Sequence, residues 1–188
     1  MKTNALRVED LPRYTYDEYF QWEGRWELIK GIPYAMVPAP AINHQRISGR
    51  IDWQLRNLLE DCHRCESICA VDWQITEDTV VCPDVLVVCH EDDGIGIIKL
   101  EKTPVVVFEI LSPATKRKDL IIKYQLYEKA GVKYYCMVAP DTKSLNVFVL
   151  QNQKEKYEAA EEFVDGKILF DLGPCAIRFD FKSILTSS

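Results

Sequence analysis

A mixed β-sheet flanked by helices, an α/β or α+β arrangement, is the fold class this sequence predicts, and three observations point to it. The runs Val85-Leu86-Val87-Val88 and Val105-Val106-Val107-Phe108 have the make-up of strands covered on both faces. The stripe Ile47, Ile51, Leu55, Leu58, Leu59 and Cys62 marks a long amphipathic helix. A second helical stretch, 116–130, stops at Gly131, a favoured C-terminal cap. With 188 residues, 47% of them hydrophobic, the chain is expected to form one domain, 1–188, that needs no disulfide or metal staple.

In chain order, Thr15-x-x-Glu18 is a capping-box pattern that opens a short helix through Trp22. Residues 26–29, the turn Lys30-Gly31, and residues 32–37 form an expected hairpin, ended by Pro38 and Pro40. Asn43 is placed to cap the long helix, and Arg46, Arg50 and Arg56 lie mostly off its apolar stripe. Three strands follow, at 66–76, 79–89 and 104–111, with a polar, glycine-containing loop over 90–103. Beyond the second helix, 133–139 and 144–151 flank the turn Pro140-Asp141 as another hairpin. Gly166 and Gly173-Pro174 punctuate short antiparallel strands in the remainder. The order is helix, three strands, helix, strand, with hairpins added before and after.

Charge argues against a passive nucleic-acid coat. Lys+Arg is 23 and Asp+Glu is 29, a net charge of −6, whereas phosphate neutralisation normally calls for a basic surface. An enzyme that grips phosphate through a divalent metal is not excluded, because its site must itself be rich in carboxylates. Lys116-Arg117-Lys118 is a dense local basic cluster. No apolar run approaches the ~20 residues of a membrane-spanning helix, and Met1 to Leu11 carries no secretory signal, so a cytoplasmic protein with no membrane partner is expected. On that footing the seven cysteines are expected to be reduced thiols. Cys62, Cys65 and Cys69 suggest a zinc or iron–sulfur cluster, but no second C-x-x-C completes it, and their spacing also suits a helix face or its exit.

The informative residues are carboxylates in apolar company. Glu109 sits in Val105-Val-Val-Phe-Glu-Ile-Leu111, and Asp84 follows Pro83 and precedes the run 85–88. An ionised carboxylate in a covered strand costs several kcal/mol unless it is paired or holds a cation. Pro83 removes a ladder donor and interrupts the strand where Asp84 stands. Two readings stand at this level: the carboxylates converge on one site, or each pairs with a base at a strand end. Lys116, Asp119 and Lys123 share a helix face that can look back at the Glu109 strand, although Asp119–Lys123 alone would pass for a surface ion pair.

Cys82-Pro-Asp-Val-Leu-Val-Val88, Val107-Phe-Glu-Ile-Leu-Ser-Pro113, Lys116-Arg-Lys-Asp-Leu120 with Lys123, and Tyr127-x-x-Ala-Gly-Val132 together resemble the Uma-two family of restriction-endonuclease-like proteins. Tyr16-x-x-Tyr19, Glu27-Leu-Ile-Lys-Gly31 and Asn43-His44 extend the likeness over roughly residues 14 to 185. That family belongs to the PD-(D/E)XK nuclease superfamily, so the resemblance implies a restriction-endonuclease-like core and metal-dependent hydrolysis of phosphodiester bonds in DNA. A catalytically inactive DNA-binding or accessory protein on the same fold is the alternative.

The resemblance further implies that Pro83-Asp84 is the PD element, with Asp84, Glu109 and the Ile110 main-chain carbonyl as ligands for Mg²⁺ or Mn²⁺. Leu111 stands where the superfamily has its lysine, and Lys123 on the next helix takes that part, as in the family itself; a lowered pKa would fit it for a base role. Asp119 would orient Lys123 or cap the helix. Glu27 and His44 are further candidates, each for a third metal contact or a base. Lys116, Arg117 and Lys118, with Arg46 and Arg50, are candidate contacts to the DNA backbone. A homodimer would suit cleavage of both strands.

Overall fold

The structure, a computed structural model, describes residues 11–36, 41–90, 100–113, 116–151, 156–159 and 166–185. Val37, Pro38 and Pro40, most of the expected loop at 90–103, Ala114-Thr115 and the residues before Leu11 lie outside that set. In chain order the elements are α1 (Tyr16–Tyr19), β1 (Trp26–Ile29), β2 (Ile32–Ala35), α2 (Ile42–Leu58), β3 (Cys65–Cys69), β4 (Trp73–Thr76), β5 (Thr79–Val81), β6 (Val85–Cys89) and β7 (Val106–Ile110). A π-helical segment (Lys118–Lys123) then runs directly into α3 (Tyr124–Ala130). The rest is β8 (Tyr134–Ala139), β9 (Ser144–Gln151), β10 (Lys156–Ala159), β11 (Lys167–Asp171), β12 (Ala176–Asp180) and α4 (Phe181–Leu185).

The central sheet has the order β10-β9-β8-β7-β6-β3. Its β7–β8 pair is parallel and its other pairs are antiparallel, which makes it the mixed sheet expected. One face carries Val85, Val87, Val106, Phe108 and Ile110 into a core with Ile47, Ile51 and Leu55 of α2 and Phe170, Phe179 and Phe181 of the C-terminal hairpin and α4. The opposite face carries Leu86, Val88, Val107, Tyr135 and Met137 against Trp73 and Tyr127. Strand side chains alternate, so Glu109 of β7 shares the second face with Val107 and Leu111. A smaller sheet, β2-β1-β5-β4, closes over that face.

Two expected long strands each break in the middle. Residues 66–76 divide into β3 and β4, separated where Ala70 takes a left-handed φ of 48°. Residues 79–89 divide into β5 and β6 at Cys82-Pro83-Asp84. The breaks lie side by side, with the Ala70 N–H donating to the Asp84 carbonyl at 3.3 Å. At this point the chain passes from the small sheet to the large one, and Asp84 is left at the junction.

Three local expectations change. Asn43 does not cap α2: Ala41 holds that position, and no side chain caps the helix. The second helix is π-helical over Lys118–Lys123 before becoming α-helical, with Gly131 at φ 83° as its terminating residue. The cysteines are not all thiols. Cys62 is bonded to Cys175 and Cys65 to Cys89, whereas Cys69, Cys82 and Cys136 are free. Cys65 and Cys69 occupy the two ends of β3, so a shared helix face with Cys62 is ruled out; the bonded partners come from distant segments that local spacing does not reveal. Among the described residues no helix is long and apolar enough to cross a membrane.

The Cys62–Cys175 bond joins residues 113 apart in sequence. In the chain-entropy account, closing such a loop is worth about 4–5 kcal/mol. Full reduction with a dithiol in the presence of a chelator is therefore expected to lower the melting midpoint by on the order of 10 °C. Calorimetry of oxidised and reduced protein measures it, and equal midpoints would remove the crosslinks from the account of stability.

Candidate active site

The break at Pro83 frees Asp84 from the ladder, and the register that pairs Val85 with Phe108 brings it beside the end of β7. There its Oδ2 accepts the Ile110 N–H at 2.8 Å. The next side chain back on β7 facing the small sheet is Glu109. Its Oε1 accepts from Lys123 Nζ at 2.7 Å and from the Tyr127 hydroxyl at 2.7 Å. Glu27 enters from β1, with Oε1 2.8 Å from Lys123 Nζ and accepting the Cys82 N–H at 3.1 Å. Its Oε2 pairs with Lys118. Asp119 Oδ1 lies 3.8 Å from the same Lys123 ammonium.

The π-helical turn accounts for this convergence. Its i→i+5 bonding widens the turn, a geometry found frequently at functional sites, and it keeps both Asp119 and Lys123 on the buried side. Glu27, Glu109, Asp119 and Lys123 are 0, 3, 2 and 2% exposed, so these charges interact with little water between them.

The protonation states follow from that burial. Desolvation disfavours an ionised Glu27, but the Lys123 and Lys118 ammoniums outweigh it and hold the carboxyl at about 2. Desolvation also works against a charged Lys123, yet the carboxylates of Glu109 and Glu27 carry its pKa well above the ordinary lysine value. Glu109 goes the other way: burial raises it well above the usual carboxylate range, with Lys123 opposing.

His44, in the first turn of α2, has Nε2 3.2 Å from Asp84 Oδ2. Burial lowers its pKa, but the bond to Asp84, the Asp84 charge and the Ile110 backbone raise it overall, favouring the imidazolium.

His44, Asp84, Glu109, Ile110, Asp119 and Lys123 line a cleft of about 830 Å³ between the sheets, with Arg25, Arg117 and Lys118 also on its wall, while Glu27 lies behind it against Lys123. The structure thus brings together Asp84, Glu109, Ile110, Lys123, Glu27 and His44 from five separate segments. Lys123, expected to have a lowered pKa, has it raised by its carboxylate partners, and Glu27, a candidate for a third metal contact or a base, is paired with Lys118 and Lys123. Among the basic residues, Lys118 turns inward to Glu27, Arg117 is exposed on the cleft wall, and Lys116 is exposed off it. Arg46 and Arg50 do not line the cleft, and Arg50 donates to the Ile184 carbonyl at 3.4 Å. Sequence reasoning gives Tyr127 no role in the site; its position four residues after Lys123, one turn along the helix, is the signal that could have found it.

The donor set fits a hard divalent cation. Asp84, Glu109 and the Ile110 carbonyl offer oxygen at adjoining positions on the cleft. Asp84 and Glu109 are also close enough for the charge of Asp84 to raise Glu109, which is the repulsion a cation between them would relieve.

The sequence profile of the Uma2 family, described as "Putative restriction endonuclease", matches residues 16–173. A Synechocystis relative, described as "Uncharacterized protein slr1290", is 34% identical over 122 residues, which cover 62% of this chain and 63% of the relative. The chain therefore matches less than two thirds of that relative's length. The fold is similar to a crystal structure from Anabaena variabilis described as "a putative nuclease belonging to DUF820", with a TM-score of 0.72 at 18% identity over 92% of this chain and 97% of that one.

Proposed function

The chain belongs to the Uma2 family, and from that premise we propose that it is a Mg²⁺- or Mn²⁺-dependent endonuclease that hydrolyses phosphodiester bonds in DNA. The observation that carries the reading is the meeting of Asp84, Glu109 and Lys123 in the lining of one cleft.

Asp84, Glu109 and the Ile110 carbonyl would hold the cation. When bound, it polarises the phosphate and lowers the pKa of an attacking water. The chain's own groups do the rest. Lys123 Nζ, kept charged by Glu27 and Glu109, faces the charge that develops on the phosphoryl oxygens. Tyr127 and Lys123 fix the orientation of the Glu109 carboxylate by donating to the same oxygen. His44 Nε2, kept protonated beside Asp84, can donate its proton to the departing oxygen. Arg117 on the wall of the cleft is placed to take a backbone phosphate, and a two-fold pair of chains would present two sites to a duplex.

Isothermal titration with Mn²⁺ tests this reading. One site per chain is expected, lost in Asp84→Ala, together with Mn²⁺-dependent nicking of plasmid DNA. A second reading, a DNA-binding protein without turnover, is favoured by one observation: Glu109 and Lys123 are almost wholly buried and already paired with each other. DNA binding with neither Mn²⁺ uptake nor nicking would select it.

A further inference from the structure

Four cysteines meet at one end of the large sheet, on the α2 side and apart from the carboxylate cleft. Cys62 and Cys65 lie on either side of the turn that leaves α2, Cys89 ends β6 opposite Cys65, and Cys175 lies in the turn between β11 and β12. The Sγ atoms of Cys62, Cys65 and Cys175 all lie within 4.8 Å of one another, and that of Cys89 is bonded to Cys65. We propose that these four residues form a redox-interconvertible thiolate site that holds one Zn²⁺ when reduced and becomes the two disulfides when oxidised.

Local geometry supports a metal knuckle. Cys62-His63-Arg64-Cys65 has the two-residue spacing of zinc-binding pairs, and the Cys65 N–H donates back to the Cys62 carbonyl at 3.0 Å. The missing second pair comes from Cys89 and Cys175, 86 residues apart in number, which is why no second C-x-x-C marks it. Cys69 is exposed at the far end of β3, roughly 13 Å along a strand from Cys65, and takes no part.

Distances and donor chemistry fit as well. A tetrahedral zinc site with Zn–S near 2.3 Å separates its sulfurs by about 3.8 Å, within reach of Cys62, Cys65 and Cys175 as they stand, whereas Cys89, bonded to Cys65 and outside that 4.8 Å group, turns inward once its disulfide is reduced. Four soft thiolates select Zn²⁺ over the hard cations that suit the carboxylate cleft. Cys62, Cys65 and Cys89 are buried in the α2-side core and Cys175 packs half-buried against it, which restricts bulk water at the site.

The interconversion balances. Two equivalents of a dithiol reductant deliver four electrons and four protons to the two disulfides and leave as their own disulfides. The four thiols then bind one Zn²⁺ and release four protons. Return requires loss of the metal and a two-electron disulfide oxidant for each bond.

The test is an anaerobic titration of the full, reduced chain with Co²⁺, followed by Zn²⁺. One Co²⁺ per chain should give a thiolate-to-cobalt charge-transfer band and the intense visible bands of a tetrahedral centre, both abolished by stoichiometric Zn²⁺. Cys82 lines the carboxylate cleft, so the same titration of Cys82→Ser, whose thiolate band should equal that of the wild type, distinguishes the two sites. Cys69→Ser should leave the spectrum unchanged, whereas Cys89→Ser and Cys175→Ser should each lose the four-sulfur signature. Absence of a thiolate band in the reduced, folded wild-type chain would overturn the proposal, as would an unaltered band in both Cys89→Ser and Cys175→Ser.

Discussion

Glu109→Gln is expected to lower metal-dependent DNA cleavage on the order of a thousand-fold while leaving the protein folded. Glutamine keeps an oxygen for the Tyr127 hydroxyl and the Lys123 ammonium, so the hydrogen bonds that place residue 109 survive. What disappears is the negative charge and with it the anionic ligand proposed for the metal; transition-state stabilisation of about 4 kcal/mol corresponds to this loss of rate. Little stability should go with it, because burial already raises the Glu109 pKa and makes its ionised form costly. The sign is definite: a carboxyl whose folded pKa is raised stabilises the fold at acid pH and loses that contribution as pH rises through the raised value. In metal-free protein Glu109→Gln should therefore melt at or above the wild-type temperature near neutral pH. Plasmid nicking with a melting curve on the same preparation makes the comparison, and wild-type cleavage by the folded variant would eliminate Glu109 as a ligand.

The frame is legible in the sequence because the burial that builds it is periodic along the chain. The 3.6-residue stripe of α2 and the apolar runs of β6 and β7 report burial directly, and burial fixes which elements form the sheet and which cover it. What periodicity does not reveal is where a strand stops belonging to one sheet and joins another. The break at Ala70 depends on a left-handed backbone at a residue with no preference for it, so residues 66–76 pass for one strand. The break at Pro83 is visible because proline cannot donate to the ladder.

The candidate site divides along the same line. Asp84 and Glu109 are conspicuous because ionised groups in apolar runs demand a partner. The partners themselves depend on through-space geometry. Glu27 lies 82 residues from Glu109 in number and meets it only through Lys123, held by a π-helical turn that no sequence spacing announces. The inward turn of Lys118 follows from the same segment, so a basic triplet that passes for a DNA-facing patch contributes one of its members to the buried network. The disulfide pairings likewise join ends that only the folded sheet brings together.

Glu27→Ala is the substitution expected to cost most stability. It leaves the Lys123 ammonium with Glu109, whose own ionisation burial opposes, and it strips the Cys82 N–H of its acceptor. Breaking one side of a buried ion pair typically costs about 3–5 kcal/mol, which for a chain of this size lowers the melting midpoint by roughly 10 °C. The acid limb of the stability curve carries the same information. Glu27 titrates near 4.5 when unfolded and at about 2 when folded. Its contribution is therefore complete above pH 4.5 and is lost as pH falls toward 2, an effect of about 3 kcal/mol. Glu27→Gln should flatten that limb, with Lys123→Met as the complementary variant: it removes the central cation and leaves Glu27 held by Lys118 alone, so the acid limb should shift upward in pH. Urea denaturation between about pH 2 and pH 7 separates these outcomes. Identical acid profiles in wild type and Glu27→Gln would mean that the buried carboxylate is not the counter-ion that holds the π-helical segment against β1.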